Sequence, residues 1–308
     1  MTGPKIAVTP PAFCKSAILR DELSRSFPQT TFNDKGRYLS ESELIAFLSN
    51  SEGAIIGRDS VNENVLQALP KLKIIAKYGV GLDTIDQEAL RRHQVKFGWT
   101  AGVNRLSVAE LTLGFMIGLC HNTFSRGFAL KQNNWQKDGG IQLTGRTVGV
   151  IGCGHVGAEV VRLLAPFKCN VLVRDIIDKT EFCRQHGATI ASLDEVISQS
   201  ELLTLHVPLT ELTCNMIDEK VLIRMKTTAY LINTSRGEVV DQNALNASLR
   251  NEGIAGAALD VFFQEPPEDA EFLALPNLIA TPHIGGNTLE AVEAMGRAPI
   301  AHLREYFG

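Results

Sequence analysis

The stretch Val148–Gly157, VGVIGCGHVG, constrains this chain more than any other. A short apolar β-type run opens straight into G-x-G-x-x-G, and an acidic residue, Asp175, follows the last glycine by 18 positions. Each part has a physical task in holding a dinucleotide. Gly152 lets the chain turn sharply off the strand, Gly154 lacks the Cβ that would keep backbone from a pyrophosphate, and Gly157 lets the next helix pack closely on the sheet. That helix, expected over about 156–167, points its N-terminal N–H groups and positive dipole end at the phosphates. A second apolar run, Asn170–Val173, delivers Asp175, whose carboxylate can accept hydrogen bonds from both ribose hydroxyls. The glycine triplet alone is weak evidence. Strand, glycines, helix, strand and acid in this order and spacing are specific. A carboxylate at Asp175 repels a 2′-phosphate, which favours NAD over NADP, and the adjacent Arg174 reads as a solvated side chain at the sheet edge.

A chain of 308 residues, 44% hydrophobic, is too long for one small core and suggests two domains. Net charge is −4 with no basic cluster, so charge indicates neither a nucleic-acid nor an anionic-membrane partner. The six cysteines form no C-x-x-C pair, which fits reduced thiols and gives neither a disulfide frame nor a metal site. No apolar leader run follows the start of the chain. The most apolar segment, Val108–Cys120, is short and carries Glu110 and Thr112, so no membrane span is expected. The expectation is a cytoplasmic protein.

Short β-type runs alternate with helical patterns almost throughout, which predicts parallel sheets covered by helices. Strands are expected at Ile6–Val8, Ala54–Ile56, Ile74–Lys77 and Val95–Phe97, with helices near Lys15–Ser26, Glu41–Ser49, Asn62–Leu69 and Gln87–Arg92. A long helix over Ser107–Asn122 leads into the glycine fingerprint. Strands follow at Leu202–Leu205, Tyr230–Ile232, Ala255–Leu259 and Leu278–Ala280, and then a last helix, Thr288–Tyr306. With no strand left to lead to, that helix is expected to return to the first domain. The expected division is residues 1–100 with 285–308 as one domain and 101–284 as a nucleotide-binding insertion, with substrate in the cleft between them.

Three polar residues stand just beyond apolar strands: Arg236 after YLINTS, Glu265 after AALDVFFQ and His283 after LIATP. Ligands of a doubly wound sheet bind outside the carboxyl ends of its strands, so the three can face one site. A neutral imidazole can take a proton from an alcohol while hydride leaves the same carbon, and the imidazolium can protonate a carbonyl oxygen in reverse. A carboxylate on its other nitrogen fixes the tautomer. A guanidinium offers a planar fork for a substrate carboxylate. Together they suit a 2-hydroxy or 2-oxo acid. Singly, an Arg or Glu at such a position is more often a salt-bridge or loop residue.

Seven segments, KYGVGLDTID, SVAEL, GCGHVG, HVPLT, INTSRGEVVD, ALDVFFQEP and TPHIGGNT, resemble the D-isomer-specific 2-hydroxyacid dehydrogenase family in its own order, and the resemblance covers nearly the whole chain. It implies a Rossmann doubly wound parallel sheet inserted in a smaller flavodoxin-like α/β substrate domain, with NAD as cofactor and a homodimer formed through the nucleotide domain around the Ser107–Asn122 helix. By that resemblance Arg236 binds substrate, Glu265 is the partner carboxylate and His283 the acid/base. Asp260 would hold the nicotinamide carboxamide, and His155 and Val156 would meet the pyrophosphate. Val207, Pro208, Thr234, Ser235, Gly285 and Gly286 would line the cofactor site, although Gly286 stands where many members carry Ser or Ala. Val80 and Gly81 would present N–H groups to the substrate carboxylate, with Tyr78 beside them.

Within the family, formate dehydrogenases carry Gln where Glu265 stands, so this chain does not resemble one. Phosphoglycerate-type members place an arginine on the substrate phosphate near Arg58; here Asp59 beside it would oppose an anion. Hydroxypyruvate- or glyoxylate-type substrates are the other expectation. The end of the chain at Gly308 gives the expectation that it lacks a C-terminal regulatory domain. The competing reading is an NAD(H)-sensing, corepressor-like interaction protein on the same fold, since such proteins retain the Arg, Glu and His. His206 reads as a structural hydrogen-bonding residue.

Overall fold

The computed structural model describes residues 3–137 and 139–308. The chain starts with β1 (Ile6–Val8), α1 (Pro11–Lys15), α2 (Ala17–Ser26), β2 (Thr30–Phe32), α3 (Glu41–Leu48) and β3 (Gly53–Ile56). It continues through α4 (Glu63–Gln67), β4 (Ile74–Lys77), α5 (Gln87–Arg92), β5 (Lys96–Gly98), α6 (Arg105–Cys120) and α7 (Thr123–Lys131). The glycine fingerprint joins β6 (Thr147–Ile151) to α8 (His155–Leu164), followed by β7 (Asn170–Arg174), α9 (Thr180–His186), β8 (Thr189–Ile190), α10 (Leu193–Gln199) and β9 (Leu202–Leu205). Then come α11 (Glu219–Arg224), β10 (Tyr230–Asn233), α12 (Gln242–Arg250), β11 (Gly256–Leu259), α13 (Ala270–Leu273), β12 (Leu278–Ala280) and α14 (Leu289–Phe307). Two compact units result, one running to Asn104 and joined by Gly286–Gly308, the other Arg105–Gly285.

The first unit holds five parallel strands in the order β2-β1-β3-β4-β5, the flavodoxin-like order. Strands β1, β3 and β4 are buried along their whole length because helices cover both faces, which is why they read as continuous apolar runs. Ala54, Ile56 and Ile75 pack with Leu44, Leu48, Val65 and Leu90 on one side. Ile6, Val8, Ile55 and Ile74 pack with Phe13, Leu19, Leu23 and Leu303 on the other. The helix expected over Lys15–Ser26 is α2, which starts at Ala17, and the short α1 before it was not expected. Ser16 is extended and its side chain accepts from the Leu19 N–H, capping α2. Pro11 opens α1, where a missing N–H leaves nothing unpaired.

The second unit is a seven-stranded parallel sheet ordered β12-β11-β10-β9-β6-β7-β8. The order reverses between β6 and β9, the Rossmann arrangement with one strand added beyond it, and ligands of such sheets bind at that switch point. Val196, Leu222 and Leu245 cover one face, and Phe115, Met116, Val160 and Val161 the other. In α8 the buried Gly157, Val160, Val161 and Leu164 recur at helical spacing. Among the described residues, no helix is long and apolar enough to cross a membrane.

Candidate active site

The register of β6 on β7 pairs Ile151 with Arg174, so Gly152 comes opposite Asp175. The Gly152 N–H donates to the Arg174 carbonyl at 2.8 Å. Gly152 has φ +89°, and a Cβ on it would stand 2.5 Å from the His206 carbonyl oxygen. A Cβ on Gly157 would stand 1.9 Å from the Gly152 oxygen, so only glycine lets α8 start this close to the strand end. The space beside the Gly154 Cβ position is open. His155, Val156 and Gly157 open α8, where the first N–H groups have no carbonyl one turn back. This cradle fits a dinucleotide pyrophosphate. Arg174 is exposed.

Asp175 has a structural task that sequence did not suggest. Its carboxylate accepts from the Cys153 N–H at 2.6 Å and the Ile177 N–H at 2.8 Å, tying the glycine loop to the end of β7. Asp175→Ala is therefore expected to weaken NAD binding about tenfold through lost charge-assisted bonds and a looser loop, with a relative gain for NADP. Titration of both cofactors checks this, and an unchanged NAD to NADP ratio would remove Asp175 from cofactor choice.

The β10 exit carries Thr234, Ser235 and Arg236. Buried Asn233 shapes this turn: its Oδ1 accepts from the Ser235 N–H (3.0 Å) and Ser235 Oγ (2.8 Å), while its Nδ2 donates to the Arg236 carbonyl (2.7 Å). The Arg236 Nη1 donates to the Ser235 carbonyl at 2.7 Å. A Cβ on Gly237 would overlap the Phe262 backbone at 1.9 Å, so this glycine lets the Arg236 turn lie against the loop that leads to Glu265. Neither Asn233 nor Gly237 was singled out from sequence. Thr112 on α6 reaches Thr234 with a 3.0 Å hydroxyl–hydroxyl bond.

Glu265 and His283 meet directly. The His283 Nδ1 lies 2.8 Å from Glu265 Oε2 and 3.0 Å from Oε1, with the two side chains 32% and 15% exposed. A carboxylate on Nδ1 selects the tautomer with hydrogen there and leaves proton exchange to Nε2. His283 has φ +54°, the left-handed region that a non-glycine residue adopts only when its surroundings fix it.

Asp260, 1% exposed, is engaged largely within the protein. It accepts from Thr281 Oγ1 (2.6 Å), the Ile284 N–H (2.8 Å) and the Gly285 N–H (2.8 Å), leaving about one of some four acceptor sites for a carboxamide. The two glycines expected at the cofactor follow His283 and Ile284 directly. Gly285 gives its N–H to Asp260 and its carbonyl to Ser107, so its polar groups hold the loop. Gly286 falls in the first unit, beside Asn104 and Met295.

Val207 and Pro208 follow β9 beside the glycine loop, and the His206 N–H donates to the Ile151 carbonyl at 2.8 Å. The His206 Nε2 bonds Thr204 Oγ1 at 3.0 Å, its Nδ1 is buried without a partner, and burial pushes the imidazole down to about 3. It is a neutral structural histidine at neutral pH.

In the first unit, Arg58 and the Gly79–Gly81 loop leave the carboxyl ends of the adjacent strands β3 and β4. Arg58 is exposed. Asp59, expected to oppose an anion there, turns inward, accepting from the Leu39 N–H at 2.7 Å and from the Thr9 hydroxyl. Buried Lys77 donates to the carbonyls of Gly57 and Tyr78, joining the two loops. Gly79 turns at φ +92°, and the Val80 carbonyl accepts from the Trp99 indole at 3.2 Å. Tyr78, expected beside the substrate, packs its ring into the core of the first unit. Its ring is 6% exposed and packs edge-on to Phe13 in the core, because Ile74, Ala76 and Tyr78 share one face of β4. Among the described residues no group of three or more His, Cys, Asp or Glu is arranged to hold a metal.

Fold and site together define a dinucleotide-dependent dehydrogenase with a carboxylate-oriented histidine. Residues 113–285 match the family described as D-isomer specific 2-hydroxyacid dehydrogenase, NAD binding domain. Relatives include a D-3-phosphoglycerate dehydrogenase of Methanocaldococcus jannaschii, 35% identical over 84% of this chain and 50% of its own length, so the match spans about half of that protein. A hydroxypyruvate reductase of Thermotoga maritima is 31% identical over 90% of this chain and 94% of its own length. Among solved structures, the D-lactate dehydrogenase of Aquifex aeolicus, complexed with NAD and lactic acid, superposes with a TM-score of 0.86 at 27% identity, covering 98% of this chain and 94% of that one. The chain belongs to the D-isomer specific 2-hydroxyacid dehydrogenase family, and its cofactor is NAD.

Proposed function

We propose that the protein interconverts a D-2-hydroxy acid and its 2-oxo acid, with His283 as acid/base, Glu265 as its orienting carboxylate and Arg236 as the substrate clamp. The 2.8 Å contact between His283 and Glu265 beside the Arg236 turn carries this reading. Bound NAD supplies the hydride acceptor and NADH the donor. Arg236 binds the substrate carboxylate and polarises the neighbouring carbonyl, and His283 Nε2 takes the hydroxyl proton in oxidation or returns it in reduction. Glu265 steadies the imidazolium formed on the way. The Gly152–Gly157 loop, Asp175, Val207, Pro208, Thr234 and Ser235 hold the cofactor, with Asp260 at the carboxamide. Arg58 and the Val80–Gly81 amides serve substrate recognition.

The inward turn of Asp59 supports a phosphorylated acid at Arg58, which makes 3-phosphohydroxypyruvate the first substrate to try, with hydroxypyruvate and glyoxylate next. NADH oxidation against a panel of 2-oxo acids tests this. Turnover of the phosphorylated acid above the others supports Arg58 as its ligand, and preference for an unphosphorylated acid removes it. NADH binding without turnover across the panel would move the reading to a 2-oxo acid outside the panel or to an NAD(H) sensor.

The reading includes a cytoplasmic homodimer. All six cysteines are unpaired, as a reducing compartment keeps them. Helix α7 buries none of its side chains, and Phe128 and Trp135 are 65% and 75% exposed, an apolar surface suited to a second copy of the chain. Phe128→Glu is expected to convert the dimer to monomer in light scattering. An unchanged mass would place the interface elsewhere.

A further inference from the structure

The acid/base histidine sits on a loop whose hold reaches well beyond Glu265. Ser107, 8% exposed on the first turn of α6, donates its hydroxyl to the carbonyl of Gly285, 178 residues further along the chain. From the other side Asp260 receives Thr281 Oγ1 and the N–H groups of Ile284 and Gly285. The His283 N–H in turn donates to the Thr281 carbonyl at 2.9 Å. The fit is close as well as polar: a Cβ on Gly285 would stand 2.9 Å from Asp260 Oδ2 and 3.5 Å from Val108.

We infer that Ser107 and Asp260 form a two-sided clamp that sets the position of the His283 imidazole, making Ser107 a positioning residue of the reaction. The inference rests on the acid/base role proposed for His283. Left-handed backbone at a histidine persists only where the surroundings over-determine it, and here bonds on both sides of the residue do so. The backbone angle at His283 aims its Cα–Cβ bond, and that bond aims Nε2 once Nδ1 is docked on Glu265. Asp260 anchors the loop by its N–H groups and Ser107 by a carbonyl. Neither alone fixes the rotation of the segment about the other. Without the Ser107 hydroxyl, the Gly285 carbonyl loses a buried partner and the loop can pivot on Asp260.

The test uses the full chain with Ser107→Ala and, as a second variant in case that one folds poorly, the near-isosteric Thr281→Val, which removes one Asp260 donor. Steady-state kinetics with the best 2-oxo acid, NADH titration by fluorescence and backbone hydrogen exchange over 281–287 are read together. A misplacement well short of the 1 Å that costs 10²-fold is expected to lower kcat about tenfold in each variant. KM and NADH affinity stay close to wild type, and exchange at Ile284 and Gly285 quickens. Wild-type kcat in a folded variant overturns the clamp, as does faster exchange without loss of kcat. NADH affinity falling in step with kcat also overturns it, since the residues would then act through the cofactor. His283→Ala separates the two readings. If that variant turns over normally, the acid/base assignment fails; if it is inactive while Ser107→Ala and Thr281→Val are normal, the clamp alone fails.

Discussion

His283→Ala is expected to lower turnover of the preferred 2-oxo acid by about 10²- to 10⁴-fold while NADH affinity stays near wild type. The split follows from where the residue stands. Its Nδ1 is docked on Glu265 and its backbone belongs to the loop held by Asp260, so removing the ring takes away proton transfer and leaves the glycine cradle as it was. The residue comes after β12, at the far end of the sheet order from β7 and from Asp175, the residue proposed for the ribose. The variant also leaves Glu265 with one partner fewer, but its Oε1 keeps the Phe262 N–H at 3.3 Å. Gross rearrangement of the β11 exit loop is therefore not expected. Stopped-flow NADH oxidation together with fluorescence titration checks both halves. Equal losses of turnover and NADH affinity would mean that His283 serves the cofactor and that the proton donor must be sought elsewhere.

What could be read from sequence was what local backbone demands make visible. Gly152 and Gly157 are required by a turn and a close approach within a few residues, and Asp175 by the length of one helix and strand. The continuous apolar runs of β3, β4, β6 and β9 announced strands covered on both faces. Elements without such a signature passed unseen: β2 is Thr-Thr-Phe at a sheet edge, β8 has two exposed residues, and α7 has no buried face to impose a period. Tyr78 shows what alternation along a strand adds. Its place at a strand end suggested a site residue, yet alternation along β4 puts it with Ile74 and Ala76 toward Phe13 and α14. The site's supporting groups were the least legible, since Ser107 with Gly285 and Thr112 with Thr234 are pairs made only by the folded chain. A buried serine in a helical first turn carries no sign of its partner.

Arg236→Lys is expected to lower kcat/KM about ten- to a hundredfold, equivalent to about 1.5–3 kcal/mol of charged hydrogen bonding, with most of the loss in KM. Charge is kept and geometry is lost. The turn that bears Arg236 is fixed by Asn233 at three points, and Gly237 presses it against the Phe262 backbone, so the substituted side chain starts from the same place. A guanidinium leaving that turn can give one N–H to the Ser235 carbonyl, as Nη1 does at 2.7 Å, and still present others in its planar fork. An ammonium has three donors around one nitrogen and cannot hold a carboxylate by two parallel bonds while bonding the turn. At position 236 the substrate is then held by charge alone and its carbonyl is less well aligned, so KM rises more than kcat falls. The substitution leaves the backbone of the turn and the residues proposed for the cofactor in place, so NADH affinity is expected to remain unchanged. Unaltered kinetics across the whole panel of 2-oxo acids would take Arg236 out of the substrate site and leave the carboxylate to the Val80–Gly81 amides and Arg58.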